Sequence, residues 1–580
     1  MRITYRFRLR LLFYTLSLLA ISGVGCHSRE KHFPHGTAAT STKQATPVNS
    51  SAIEELLRSQ VATGHLAELR WPDFTDYQPL VTKFYESGSY ETAWVEGSVP
   101  TIQALEVIKA LQASESKGLD PEDYDGSRWA GRIAALNNAT PADVNNAVVQ
   151  FELALTVSAM RYVSDIHIGK VNPQHFDFGI NVSEKKYDLP LFLSEKLVSA
   201  TDVPAVLDAA EPPFLAYQRT KVALQQYIQL AKNPNITSLP AVDKPIAVGG
   251  NYSATPQLTA MLQMLGDLPP GTSGEPNETV IDTRISNALK KFQKRHGLTQ
   301  SGVLSKETVA QLNVPMSSRV RQLQDSLERY RWLSPEFTQP PIVVNIPEFR
   351  LRAFDANHKV ALRMNVVVGK SFNHQTPIFT DTMKYVVFRP YWNVPPSIQR
   401  SEIVPSIQRD RMYLAKKNFE VTDAKGNIVT TGAVSDEVLQ GLRSGRLMVR
   451  ERPGPKNSLG LAKFIFPNSY NVYFHGTPAQ SLFAQSRRDF SHGCIRLESP
   501  ADLAAWVLRD KPEWTVDRIK SGMNTGRDNQ QINLTNPAPV LILYVTAIVE
   551  EDGDVYFFSD IYGLDKSLDA VLAKGYPFPG

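Results

Sequence analysis

The spacing of apolar residues changes once along this chain, near Pro340, and no other feature constrains the fold as much. Before it the period is helical. Leu105, Ile108 and Leu111 recur at three residues, and Val148, Phe151, Leu155 and Ala159 at three and four, which lines up one face of a helix. After it, Ile342–Ile346, Leu362–Val368 and Tyr385–Phe388 are β-branched or aromatic runs bounded by turn residues. Leu461–Phe466, Val472–Phe474, Val540–Val549 and Asp554–Phe558 continue the pattern, the signature of strands. Glu550 to Gly553 supplies a turn that pairs the last two as a hairpin. At 580 residues the chain is too long for one core. The expectation is a multidomain α+β protein with a helical front and a β-rich back.

Gly and Pro divide the chain further. Residues 52–240 form the expected helical scaffold, broken internally at Gly118–Pro121 and Gly169–Pro173. A junction rich in Pro and Gly, Pro240–Gly250, precedes a small helical module at 251–315. Its strongest segment is Ile285, Leu289 and Phe292 at i, i+4 and i+7, and a turn at Ser301-Gly302 leads to a short helix ending in Leu312. Val320, Leu323, Leu327 and Tyr330 predict a connecting helix within 316–338. The β-rich domain takes 339–580, with an insertion of mixed helical character at about 395–451. His167 and His175 flank a loop with no third metal ligand at a suitable spacing, so structural roles are expected for both.

The N-terminus carries an export address at 1–26. Arg2, Arg6, Arg8 and Arg10 precede an uncharged apolar stretch, Leu11–Val24, which small residues close at Gly25-Cys26. Cys26 stands where a lipoprotein signal places its acylated cysteine, although Gly23 departs from the Leu usual at that offset, so a plain cleavable signal stays open. Residues 27–51, rich in Ser, Thr, Lys, Pro and Ala, form a flexible tether. The balance of 62 basic to 58 acidic residues, a net charge of +4, gives no ground for nucleic-acid binding. Past the signal nothing is apolar for long enough to cross a bilayer. Membrane association is expected only through the signal or a lipid anchor.

The chain has two cysteines, Cys26 and Cys494. An exported protein keeps one functional thiol, a liability in an oxidising compartment unless it is buried or needed. Its surroundings point to need. Tyr473-Phe474-His475-Gly476-Thr477 is followed after thirteen residues by Ser491-His492-Gly493-Cys494-Ile495-Arg496-Leu497. Acyl transfer by a thiol requires a thiolate, a base and oxyanion donors. An imidazole makes the thiol competent at neutral pH. A strand ending at His475 and a loop ending at Cys494 can bring the two side chains face to face, Gly493 allows close backbone approach, and N–H groups around His492, Gly493 and Cys494 are candidate oxyanion donors.

This signature resembles the active site of the L,D-transpeptidase catalytic domain. Val368-Gly369-Lys370 with Thr376-Pro377-Ile378-Phe379 resembles an early turn and strand of that fold, and Tyr391–Ile398 the start of the capping insertion in its large Gram-negative members. Tyr544–Ala547 and Asp560–Tyr562 are similar to the end of that subclass. Asn287–Leu298 with Ser301-Gly302-Val303 and Thr308 resembles the small three-helix peptidoglycan-binding module.

The resemblance implies Cys494 as nucleophile and His475 as base, with the carbonyl of Gly476 as a candidate to orient the imidazole. It implies a loop-shaping role for His492 beside Gly493, and a hydrogen bond inside the loop for Ser491. Arg496 is a candidate for a substrate carboxylate or for a structural salt bridge. Trp392 and Tyr473 are candidates to line a stem-peptide groove, with a core role for Trp392 left open. It implies no cofactor and no metal, a periplasmic location with an outer-membrane lipoprotein as the lipidated form, and peptidoglycan stem peptides and glycan strands as partners. Other wall-synthesis enzymes are candidate partners. An L,D-carboxypeptidase, a non-catalytic wall-binding scaffold and a zinc hydrolase using His475, His492 and Cys494 remain as alternatives.

Overall fold

The computed structural model describes residues 33, 47–185, 187–271, 279–337, 339–576 and 578. The export address, Cys26 and most of the expected tether lie outside the described residues. Among the described residues no helix is long and apolar enough to cross a membrane.

The front of the chain is helical, as its spacing predicts. Helix Val144–Ile168 runs through the centre and is buried on nearly every side. Around it pack Ser50–Thr63, Gln78–Ser87, Ile102–Gln112 and Trp129–Asn138. A two-residue pair, β1 (Val95–Glu96) with β2 (Val99–Pro100), closes one side. Glu152, deep in this core, accepts hydrogen bonds from the backbone N–H groups of Ala93 and Trp94, which satisfies a carboxyl group that burial alone would penalise. Burial pushes its pKa up to about 8. His167 lies flat on Tyr187 and bonds the Ala210 carbonyl at 2.8 Å, a packing role.

Helix Leu215–Ala231 joins a different core. Its Tyr217, Leu224 and Tyr227 pack against Leu323 and Leu327 of helix Met316–Arg331 and against Phe557 near the C-terminus. The helices of the expected scaffold are thus shared between two cores. An amphipathic stripe shows that a helix is buried on one side, and not against what.

The small module has three helices, Thr255–Met264, Thr283–Arg295 and Lys306–Leu312, around Leu258, Leu289, Phe292 and Leu304. Asp282 and Ser305 cap the second and third helices by accepting from Ile285 N and Thr308 N.

The β-rich domain begins with β3 (Ile342–Asn345), β4 (Arg350–Phe354), β5 (Val360–Gly369) and β6 (Phe379–Phe388). A lobe follows with β7 (Trp392–Asn393), β8 (Phe419–Thr422), β9 (Ile428–Thr430) and β10 (Met448–Glu451). The chain then returns through β11 (Ala462–Ile465), β12 (Phe474–His475), β13 (Asp489–Ser491), β14 (Ile495–Leu497) and β15 (Gln530–Leu543), and ends with the hairpin β16 (Ala547–Val549) and β17 (Val555–Phe557). The main sheet runs β13-β5-β14-β12-β11-β6-β15-β3-β4, and β4 also pairs with β5, so the sheet closes on itself. Phe464, Phe474, Ile495 and Leu497 belong to its core. The lobe has its own sheet, β7-β10-β8-β9, and its own core around Ile407, Val421 and Leu442.

One local expectation is corrected. Val540–Val549 is not one strand. The side chain of Asn345 bonds both the N–H and the carbonyl of Val545 and the Tyr544 hydroxyl donates to Asp560 at 2.6 Å, so β15 stops at Leu543 and β16 starts a separate sheet. Helix Pro500–Val507 has proline in its first turn, and the Ser499 side chain before it makes no capping hydrogen bond.

The small module is fixed against the C-terminal hairpin. Buried Arg295 donates to Asp267 and to the carbonyl of Val555, and His296 stacks between Phe292 and Phe557.

Candidate active site

Strand register builds the site. β12 and β14 are parallel, with Phe474 opposite Ile495 and His475 opposite Arg496. Ile495 N–H donates to the Tyr473 carbonyl at 3.2 Å, which sets Cys494 beside Tyr473. Side chains alternate across a sheet. Phe474 and Ile495 therefore enter the core, while Tyr473, His475, Cys494 and Arg496 share the opposite face. β11 pairs with β12 so that Lys463 lies opposite His475 on that face, and the Lys463 Nζ sits 4.2 Å from the centroid of the Tyr473 ring.

The loop that carries Cys494 is held from several directions. Gly493 adopts φ +115°, a backbone region that side chains with a Cβ rarely enter. Its N–H donates to Ser491 Oγ at 3.1 Å, and Ser491 Oγ donates to the Cys494 carbonyl at 2.6 Å. Gly493 N–H is thus engaged inside the loop and does not face an oxyanion in this geometry. Thr376 Oγ1 donates to the Gly493 carbonyl at 2.8 Å and accepts from Gly369 N–H at 2.9 Å. A Cβ on Gly369 would meet the His374 carbonyl at 1.9 Å, so the turn before Thr376 requires glycine. Tyr562 closes this clamp by donating to the Gly369 carbonyl at 2.6 Å.

His475 is buried, and its Nδ1 lies 2.6 Å from the Gly476 carbonyl oxygen. Burial, with the charges of Arg496 and Lys463, lowers its pKa to about 3, so the imidazole is neutral. Burial pushes the Cys494 thiol up, while the Tyr473 hydroxyl, Lys463 and Arg496 act to stabilise the thiolate. Burial and the adjacent sulfur raise the Tyr473 pKa strongly, so its hydroxyl stays protonated and can donate. No hydrogen bond joins Cys494 to His475 in this arrangement. The thiol faces the Asn471 carbonyl at 3.8 Å, and the expected direct pairing is replaced by a diagonal placement on one sheet face. Reacting hydrogen bonds are often loose in a site without substrate.

The other candidates separate. Arg496 makes no salt bridge among the described residues, and its buried Nε has no hydrogen-bond partner there. Trp392 is half-buried in β7, packs against the lobe core with its ring 6.2 Å from Phe419, and reaches the Tyr473 hydroxyl. His492 points away from the thiol. Its Nε2 lies 2.8 Å from Glu402 Oε1 in the lobe, and its ring meets His374 edge-on at 4.8 Å. His475, His492 and Cys494 do not converge as a metal-binding group, and no cluster of three or more His, Cys, Asp or Glu side chains able to hold a metal occurs among the described residues.

Sequence reasoning missed Lys463, Glu402, Thr376 and Tyr562 as parts of the site. Thr376 and Tyr562 stand inside segments already noted for their resemblance, so they could have been found. Lys463 and Glu402 carry no local signal.

Comparisons with known proteins find families over three segments of the chain. Residues 339–529 match the L,D-transpeptidase catalytic domain family, 79–224 a scaffold domain and 252–312 a family described as "Putative peptidoglycan binding domain". A Haemophilus influenzae protein named "Putative L,D-transpeptidase" is 30% identical over 253 residues, 44% of this chain and 50% of that protein. The chain thus spans about half the length of this curated relative. A crystal structure of an L,D-transpeptidase from Xylanimonas cellulosilytica aligns over 52% of this chain and 100% of its own, at 13% identity and a TM-score of 0.17. That of a fused zinc-dependent amidase/peptidase with a peptidoglycan-binding domain, from Clostridium acetobutylicum, aligns over 52% and 99% at 14% identity and a TM-score of 0.15. Likeness at that level carries no inference. On its three matched segments, the chain contains an L,D-transpeptidase catalytic domain together with a scaffold domain and a peptidoglycan-binding domain.

Proposed function

We propose that this protein is a cell-envelope L,D-transpeptidase that forms 3–3 cross-links in peptidoglycan through a thioester on Cys494. The observation that carries this reading is the shared face of β11, β12 and β14, where one thiol stands among a neutral imidazole, a protonated phenol and two cations.

The donor is a tetrapeptide stem with meso-diaminopimelate third and D-Ala fourth. His475, its Nδ1 bound to Gly476, uses Nε2 to take the thiol proton. The Cys494 sulfur attacks the diaminopimelate carbonyl, and the tetrahedral oxyanion collapses with loss of D-Ala, whose nitrogen receives the proton from His475. The side-chain amine of a second stem then attacks the thioester, gives a proton to His475, and leaves an amide while the thiol is restored. Lys463 and Arg496 stabilise the thiolate, and the unpartnered Nε of Arg496 suits it to a substrate carboxylate. With Gly493 N–H engaged by Ser491, the N–H groups of Cys494 and His492 are assigned to the oxyanion, where loss of one donor typically costs on the order of 10²–10³ in rate.

The test is mass spectrometry of muropeptides after incubating purified protein with tetrapeptide-rich peptidoglycan. Dimers linked between two diaminopimelate residues, absent with Cys494→Ala, are expected. Tripeptides without dimers would assign an L,D-carboxypeptidase instead. Activity lost to a chelator and unaffected by a thiol reagent would overturn the cysteine mechanism.

A further inference from the structure

A cleft of about 450 Å³ lies outside the nucleophile face, between the three-helix module, the closed sheet and the C-terminal hairpin. Lys294 and the turn after it form one wall, Phe349, Arg350 and Arg488 a second, and Tyr556 and Phe558 a third. Its walls hold a fixed relation, because Arg295 ties the module to Val555 of β17.

The cleft has more positive charge than its own carboxylates neutralise. Arg487 is matched by Asp489 at 2.6 and 2.9 Å. Glu348 is engaged with Arg352 at 2.6 and 2.7 Å and reaches Arg350 only at 3.6 Å. Arg488 is buried, and its guanidinium bonds only neutral acceptors: the carbonyls of Val366, Gln485 and Phe349 and the side chain of Asn365. Its burial and the like charge of Arg350 lower its pKa to about 10. Lys294 makes no salt bridge among the described residues and reaches only the Tyr556 ring, at 6.0 Å. Glu498 and Glu348 also act on Arg488, and cations that outnumber the carboxylates beside them gain when an anion enters. The stacked Tyr556 and Phe558 rings, with centroids 6.4 Å apart, offer flat apolar faces beside that charge.

We propose that this cleft binds a carboxylate-bearing stretch of a peptidoglycan strand, with Lys294 and Arg350 meeting stem-peptide carboxylates in front of Arg488 and the aromatic rings meeting the sugar. The proposal rests on the wall-acting function above and adds a second substrate site to it. The sequence from Arg488 to Cys494 spans six residues, at most about 20 Å of extended chain. Strand bound in the cleft therefore lies close to the nucleophile loop and raises the local concentration of stems there.

The test uses the full chain in a Cys494→Ala background, so that bound material is not consumed. Retention on insoluble peptidoglycan and titration with a disaccharide-tetrapeptide are compared for the parent, Lys294→Gln, and the double variant Lys294→Gln/Arg350→Gln, with thermal melting as the check on folding. The double variant should lose about tenfold or more in affinity and Lys294→Gln a smaller amount, with unchanged melting. Blocking the tetrapeptide carboxylates as amides should remove the difference between parent and variants. Equal affinity of parent and double variant, absence of binding by the parent, or equal binding of inorganic phosphate would each overturn the proposal. Carbapenem acylation of Cys494 in the same Lys294 and Arg350 variants on the wild-type background should be unchanged. Failure of the catalytic reading would appear there or in the muropeptide products, and not in the binding difference.

Discussion

The imidazole of His475 is oriented by the residue next to it: its Nδ1 lies 2.6 Å from the carbonyl oxygen of Gly476. A carbonyl can only accept, so Nδ1 carries the proton and Nε2 is left as a base. In the proposed mechanism a backbone group fills the orienting role that a carboxylate fills in many triads. Replacing His475 by Ala should slow acylation of Cys494 by roughly 10²–10⁴ while the far-UV circular dichroism is kept. Cys494→Ala should abolish the carbapenem adduct in intact-protein mass spectrometry. An adduct surviving in Cys494→Ala would place the nucleophile elsewhere.

The low pKa of His475 has a consequence for stability. Its folded value is about 3 against an ordinary 6.5, so between those pH values the unfolded chain binds more protons than the folded one. Stability conferred at neutral pH is therefore lost as pH falls from 6.5 towards 3. His475→Gln removes this proton uptake, so the variant should gain on the wild type between pH 7 and pH 4.5 in urea unfolding midpoints. An unchanged difference between the two pH values would mean that His475 ionises normally in the folded protein. For the same reason, alkylation of Cys494 should show no break near pH 6.5 and should climb as the half-buried thiol ionises.

The lobe touches the nucleophile loop through His492 and Glu402, at 2.8 Å. The pair is partly exposed, with 32% and 52% of the side-chain surfaces accessible, and such pairs contribute about 1 kcal/mol or less. Glu402→Ala should therefore raise KM for a stem peptide only about two- to fivefold, with carbapenem acylation little changed. Deleting the whole lobe, which has a core of its own, should leave a folded sheet domain that binds stem peptide poorly. Isothermal titration with a tetrapeptide separates these outcomes, and unchanged affinity in the deletion would contradict a lid role.

How much of this was legible in the sequence depended on whether a feature is local. The residues proposed as nucleophile and base occur in one short stretch whose spacing is itself the signal, and the change of period at Pro340 separated helical from β-rich parts. Glu402 meets His492 across 90 residues, and a side-chain contact of that range leaves no mark on either segment. The end of β15 at Leu543 was hidden because Tyr544-Val545 continues the apolar pattern, and only Asn345, from another strand, reveals the break. Helix Leu215–Ala231 falls inside the region expected to be helical, and its partner core left no mark in the sequence.

Lys463 is the clearest case of a residue visible only in three dimensions, and it gives the sharpest test of the thiolate. It stands opposite His475 in the ladder, with its Nζ over the Tyr473 ring at 4.2 Å. Burial lowers its own pKa, and the neighbouring sulfur opposes that shift. A cation this close in a partly dry site favours the ionised thiol far more than it would in water. Two roles are distinguishable. If Lys463 acts by charge, Lys463→Gln should cut the iodoacetamide alkylation rate at pH 7 by about an order of magnitude and move its pH profile to higher pH. Lys463→Arg should then restore most of the rate. If it acts only by packing on Tyr473, Lys463→Met should behave like wild type in the pH profile, because its unbranched chain covers the same ring without charge. A profile unmoved by both Gln and Met would assign the stabilisation of the thiolate to Arg496 and the Tyr473 hydroxyl instead.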